Sequence, residues 1–271
     1  MRATWSLPPV SDSPGPPVRL LIAFLALIAI LPLASGCSSG SSTPHLSAEV
    51  LLNERMAAVL LREGRAHEAE MAYRDVLKSD PKNPEMHDGL GVALLIQERF
   101  REALEAFDRA VKLDPEKGLF RIHRGMARSQ AGLYAEAEED FRVADASSSP
   151  GDKLDVAINR GRMRQRTGDH AGSEQAFTTA IGLDPKSFDE HLGRGVAREA
   201  LREFAAAAED YLEAVHLQPK NPEANLRLGL VLVAMKKTAL GRRYLERTVE
   251  LDPAGEAGAK ARQLLEATPA S

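Results

Sequence analysis

Seven histidines, a single cysteine and a set of arginines at recurring spacing are the residues of this chain whose chemistry could build a site. A hydrolytic metal centre needs imidazoles one helical turn apart with a carboxylate beside them. His45, His67, His87, His123, His170, His191 and His216 show no such pairing and no His-Glu-x-x-His run. Gly89-Leu90-Gly91 and Gly193-Arg194-Gly195 begin like dinucleotide loops, but neither reaches a third glycine at the spacing that wraps a pyrophosphate. No phosphate-loop or kinase pattern is present either. The chain is therefore expected to be no enzyme, with no cofactor, no metal and no small-molecule substrate.

Arg-Gly-x-x-Arg occurs three times, beginning at Arg124, Arg160 and Arg194. Two arginines one turn apart could form a ladder for an anionic ligand. A structural reading is favoured, because Asp140 and Asp210 stand sixteen residues after Arg124 and Arg194, where a second helix would carry a counter-charge. Arg160 lacks that partner, since its matching site is Ala176.

The one cysteine, Cys37, excludes an internal disulfide framework and a thiolate cluster. It follows an apolar run, Leu20 to Leu33, preceded by Arg19 and a Pro-rich stretch carrying Arg2. That is the layout of a signal peptide, too short in its apolar part to span a bilayer comfortably. Leu33-Ala34-Ser35-Gly36-Cys37 resembles the lipobox of bacterial lipoproteins, with Ala34 where that family usually has Leu. The resemblance implies removal of residues 1–36 and thioether lipidation of Cys37. Ser38 in place of Asp implies, by the enteric rule for such proteins, an outer-membrane destination, with the mature chain facing the periplasm. Residues 37–49, rich in Ser and Gly, form a lipidated tether of roughly 15–20 Å r.m.s. length.

The whole chain carries a formal charge of −4, and loss of Arg2, Asp12 and Arg19 leaves 33 basic and 38 acidic side chains, or −5. No basic stretch could neutralise a row of phosphates, so nucleic acid is excluded as the partner. With 44% hydrophobic residues and only 5% aromatics, the composition suits helices in close contact.

The order of those helices is set by a repeat. Pro81, Pro115, Pro185, Pro219 and Pro253 are spaced by 34, 70, 34 and 34 residues, and four of the five follow aspartate. A small residue recurs at Ala57, Gly91, Gly125, Gly161, Gly195 and Gly229, and another twelve residues later at Ala69, Ala103, Ala137, Ser173, Ala207 and Gly241. Four residues beyond those stand Tyr73, Phe107, Phe141, Phe177, Tyr211 and Leu245. Small residues let two helices approach, the large one fills the gap beside them, and proline stops the second helix.

This period and order resemble the tetratricopeptide repeat. The resemblance implies an all-α, right-handed superhelical solenoid of six helix-turn-helix units over residues 50–255, closed by a capping helix in 256–271. Two extra residues in the Ser147–Asp152 linker predict a longer loop between the third and fourth units. Projected onto the ligand-facing columns of that family, the first helices present Leu61, Val92, Leu95, Ile96, Ile122, Met126, Ile158, Val196 and Leu230 as an exposed apolar groove. The columns that hold Lys and Asn in clamps for acidic tails here hold Glu54, Asp88, Ile122, Ile158, Leu192 and Leu226. The implied partner is an amphipathic helix of another protein. Anchor and repeats together resemble the pilotins of type IV pilus systems and the Tad pilus lipoproteins, which assist an outer-membrane secretin. An adaptor for envelope proteases, cell-wall synthesis or outer-membrane protein insertion is the alternative.

Overall fold

The computed structural model describes residues 48–147 and 150–268, and among them thirteen α-helices and no strand. The expected signal segment 1–36, Cys37 and the tether up to Ser47 lie outside the described residues. The described helices fall into two compact units, divided after Pro115. The first holds α1 (Ala48–Arg62), α2 (Ala66–Ser79), α3 (Pro84–Ile96) and α4 (Phe100–Leu113). The second holds α5 (Gly118–Gln130), α6 (Tyr134–Ser147), α7 (Pro150–Thr167), α8 (His170–Leu183), α9 (Phe188–Ala200), α10 (Phe204–Leu217), α11 (Pro222–Ala234), α12 (Thr238–Leu251) and α13 (Glu256–Ala267). Odd and even members up to α12 are the first and second helices of six pairs, and α13 follows them.

Local chemistry places the boundaries. Asn83 and Asn221 cap α3 and α11 by accepting from the amides of Met86 and Ala224 at 3.2 and 3.0 Å, and proline follows each cap as the first helical residue. Second helices end one residue before Asp80, Asp114, Asp184 and Asp252, whose φ near −130° is the extended backbone that a following proline imposes. First helices end in a left-handed residue, and one column supplies all of them: Gly64, Glu98, Gly132, Gly168, Arg202 and Lys236, with φ between 59° and 80°. Three of these six carry a side chain where glycine has no steric cost. Arg202→Gly is therefore expected to raise stability by about 0.5–1 kcal/mol, the relief of left-handed strain less the added freedom of the unfolded chain. A urea midpoint that fails to rise at constant slope counts against it.

The small columns face the rings. A Cβ on Gly91 would stand 2.5 Å from Phe107, on Gly125 2.6 Å from Phe141, on Gly161 2.8 Å from Phe177, and on Gly195 2.6 Å from Tyr211. Each ring is buried between its two helices. The first glycine of each Gly-x-Gly pair clears the ring of the preceding repeat: a Cβ on Gly193 would stand 2.7 Å from Phe177, and one on Gly89 would collide with Tyr73. The resemblance to dinucleotide loops thus has its cause in helix packing.

Where a longer loop before the fourth repeat is expected, residues 150–152 are helical. Pro150, Gly151 and Asp152 form the start of α7, which has 18 residues where α5, α9 and α11 have 13. Proline lacks the N–H that a first helical turn leaves unused, so Pro150 starts the helix as readily as it would a turn. At the other end, Ala257, Leu264 and Leu265 of α13 pack on Leu226 and Leu245, and Arg242 donates to the carbonyl of Leu265 at 2.9 Å, satisfying a helix end.

Candidate partner-binding surface

Four of the nine residues expected to line an open groove are core. Val92, Leu95, Ile122 and Ile158 are 6%, 1%, 1% and 2% exposed. The reason is geometric: a first helix is flanked by its own second helix and by neighbouring first and second helices, so the apolar stripe available to face inward is narrower than the columns suggest. Ile122 packs with Phe141, Val156 and Met163 in one continuous cluster across α5, α6 and α7. Leu61, Ile96, Met126, Val196 and Leu230 are half-buried. Leu61, Met126, Val196 and Leu230 each lie against a core cluster. The large apolar side chains that are exposed are others, among them Met56, Val59 and Met71 on α1 and α2. Of the groove as first drawn, four residues are interior and five remain half-buried.

The arginine repeats resolve into ion clusters. Arg124 grips Asp140 through Nε at 3.0 Å and Nη2 at 2.6 Å, and Arg128, one turn on, reaches the same carboxylate at 2.7 Å. Arg194 and Arg198 do the same to Asp210 at 2.6 and 2.9 Å, and Arg198 also donates to Glu174 at 2.8 Å. Both aspartates are about 2% exposed. Two guanidinium groups converge on one buried carboxylate because positions four apart on the first helix share a face, and the second helix brings the acid between them. Arg160 has no such acid on its own second helix and turns back to α6, donating to Glu138 at 2.9 Å and Asp145 at 3.1 Å. An open cleft of about 310 Å³ beside the Asp210 cluster is walled by Arg194, Arg198, Glu209 and Glu213, so charges of both signs face it.

Several polar contacts were not legible in the sequence. Glu70, 1% exposed on α2, accepts from Arg99 and Gln97 at the end of α3 at 2.8 and 2.9 Å, and pairs with Arg74. Burial opposes its charge, but the hydrogen bonds from Gln97 and Arg99 and the field of Arg74 hold the carboxyl below its ordinary range. His87 and His191 also find a use. Their Nε2 atoms stand 3.0 and 3.1 Å from the carbonyls of Pro81 and Pro185, and Asn225 donates to Pro219 O at 3.3 Å in the same column. A carbonyl only accepts, so each histidine donates from Nε2 and ties the inter-repeat turn to the helix after it. The signal was there as a position shared by His and Asn, the two side chains that can donate across six residues at that turn. On α10, Tyr211 donates to Glu199 at 2.5 Å, and burial, reinforced by the Glu199 charge, pushes its phenol well above the ordinary value.

Among the described residues no group of three His, Cys, Asp or Glu side chains could hold a metal ion, and no helix is long and apolar enough to cross a membrane.

Comparison with known proteins follows the same lines. The chain is 31% identical over 129 residues to the probable UDP-N-acetylglucosamine–peptide N-acetylglucosaminyltransferase SPINDLY of Arabidopsis thaliana, over 43% of this chain and 14% of that protein. The chain therefore spans a small part of the length of that relative. Among solved structures, PilW, described as a widely conserved type IV pilus biogenesis factor, superposes with a TM-score of 0.73 at 15% identity, over 81% of this chain and 100% of that one. Pseudomonas aeruginosa PilF superposes with a TM-score of 0.69 at 17% identity, over 81% and 97%. At such identities the likeness is one of fold. The family profile described as tetratricopeptide repeat matches residues 55–115, 89–152, 158–222 and 192–256. Since those matches span most of the chain and its small, aromatic and proline columns occupy the packing positions the repeat requires, the chain belongs to the tetratricopeptide-repeat family.

Proposed function

We propose that this protein is a lipid-anchored scaffold of the outer membrane that binds a protein partner and assists assembly of an envelope complex, such as the secretin of a type IV or Tad pilus. It acts by binding and carries out no reaction of its own. The observation that carries this reading is the superposition on PilW and PilF, which extends over 81% of this chain and over 100% and 97% of theirs. The lipobox-like run ending in Cys37 adds the anchor, and the short tether after it keeps the first repeat within a few nanometres of the membrane. Binding falls to exposed and half-buried side chains of the repeats, since the buried inner columns are committed to the core.

The test removes the anchor and the protein separately. Cys37→Ala is expected to move the protein out of the outer-membrane fraction and to abolish the acyl mass increment on the mature chain. Deleting the gene in the native host is expected to deplete detergent-resistant secretin multimers, with recovery by the wild type but not by Cys37→Ala. An unmodified Cys37 still joined to residues 1–36 in the wild type would sink the anchor, and undiminished multimers in the deletion strain would sink the pilus role.

A further inference from the structure

One column of the repeat, spaced by 34 residues and by 36 between the third and fourth repeats, is a core position on α3, α5, α7 and α11. Met86 on α3 packs with Tyr73 and Val76 of α2, and Val156 on α7 packs with Phe141 and Ala144 of α6. Phe120 and Ala224 hold the same position on α5 and α11, and all four are buried. On α3 and α7 this position seals the first helix against the second helix of the preceding repeat. On α9 it is occupied by Glu190.

Glu190 is 0% exposed, and neither Oε1 nor Oε2 has a hydrogen-bond partner on another residue. That sets it apart from three other buried acids. Glu70, Asp140 and Asp210 are each met by arginine. The charged groups around Glu190 do not supply this. Arg162 of α7 reaches Asp189 at 4.0 Å instead, and Asp184 in the turn after α8 and Asp189 on α9 itself are both negative. The acid that α10 turns toward α9, Asp210, is held by Arg194 and Arg198, with His191 Nδ1 at 3.6 Å. A carboxylate left without donors in an apolar joint is costly, whereas a neutral carboxyl of the same shape is tolerated.

We propose that Glu190 makes the joint between the fourth and fifth repeats pH-sensitive: the protonated side chain seals α9 against α8, and ionisation loosens that joint as pH rises. Burial pushes the carboxyl above its ordinary value of 4.5, Asp189 and Asp184 act in the same direction, and Arg162 and the residue's own backbone N–H oppose it. The sign follows. Below about pH 4.5 both folded and open states are protonated and the joint is at its tightest. Above it the open state ionises first, so the opening equilibrium rises by up to about tenfold per pH unit until the folded carboxyl itself titrates, and is then level. The array is thus most rigid in acid and acquires one weak point between its fourth and fifth repeats toward neutrality, which lets the repeats on either side re-orient on a partner.

The experiment is amide hydrogen exchange on the whole protein between pH 4.5 and 8, corrected for intrinsic exchange, with α11 and α12 as the internal reference. The expected result is that opening of α8 and α9 grows with pH in the wild type and is independent of pH in Glu190→Gln, which keeps the shape without the proton, and in Glu190→Val, which restores the residue of α7. If the valine side chain fails to pack, the glutamine variant alone carries the comparison. Equal pH slopes in wild type and Glu190→Gln would overturn the proposal. So would protection of α8 and α9 that increases with pH in the wild type, or a carboxyl carbon of Glu190 that titrates at or below 4.5.

Discussion

Gly125→Leu is expected to cost about 3 kcal/mol or more of stability, read as a fall in the urea midpoint. The Cβ alone would stand 2.6 Å from Cε1 of Phe141, whose ring is 0% exposed and cannot withdraw without opening the cluster it shares with Ile122, Ala137 and Val156. A leucine adds three more carbons in the same direction, so α5 and α6 must separate or the ring must leave the core. The appropriate contrast is Arg142→Glu, which breaks an exposed pair with Glu139 and should leave the midpoint almost where it is. An unchanged midpoint for Gly125→Leu would mean that α5 and α6 do not meet at this column. In that case the assignment of the repeat's small positions is wrong.

Asp210→Ala should be nearly as damaging, at about 3 kcal/mol, because it leaves Arg194 and Arg198 side by side without the carboxylate that neutralises both. The guanidinium groups are 15% and 17% exposed, so water at the rim keeps the loss at the lower end of what an uncompensated buried charge costs. Removing the charge on both sides distinguishes a penalty for the orphaned cation from a direct contribution of the pair. Arg194→Met combined with Asp210→Leu is expected to recover most of the loss, since Arg198 retains Glu174 at 2.8 Å. Thermal unfolding of the single and double variants reads this directly. A cost below about 0.5 kcal/mol for Asp210→Ala would show that both arginines simply turn into solvent, and that the ion cluster holds nothing together.

What each repeat must look like was present in the sequence, because the relevant forces act over one helical pair. Proline after aspartate ends a helix by local sterics, a small residue opposite a large one lets the two helices of a repeat cross, and both recur at a fixed interval that reads as a period. The pairing of Arg124 with Asp140 and of Arg194 with Asp210 was legible for the same reason, being sixteen residues apart within one helical hairpin. The extent of burial was not. By column alone, Val92, Leu95, Ile122 and Ile158 look like open surface. Which part of an apolar stripe stays exposed depends on how closely the flanking helices approach, and that is a property of the assembled stack. Arg160 found Glu138 and Asp145 on the previous helix, Glu70 found Arg99 across a repeat boundary, and Glu190 found no donor on another residue, although nothing in the local sequence separates these three outcomes. Charge pairing across repeats is decided by side-chain reach between elements distant in sequence, so only the tertiary structure distinguishes an acid that is held from an acid that is trapped.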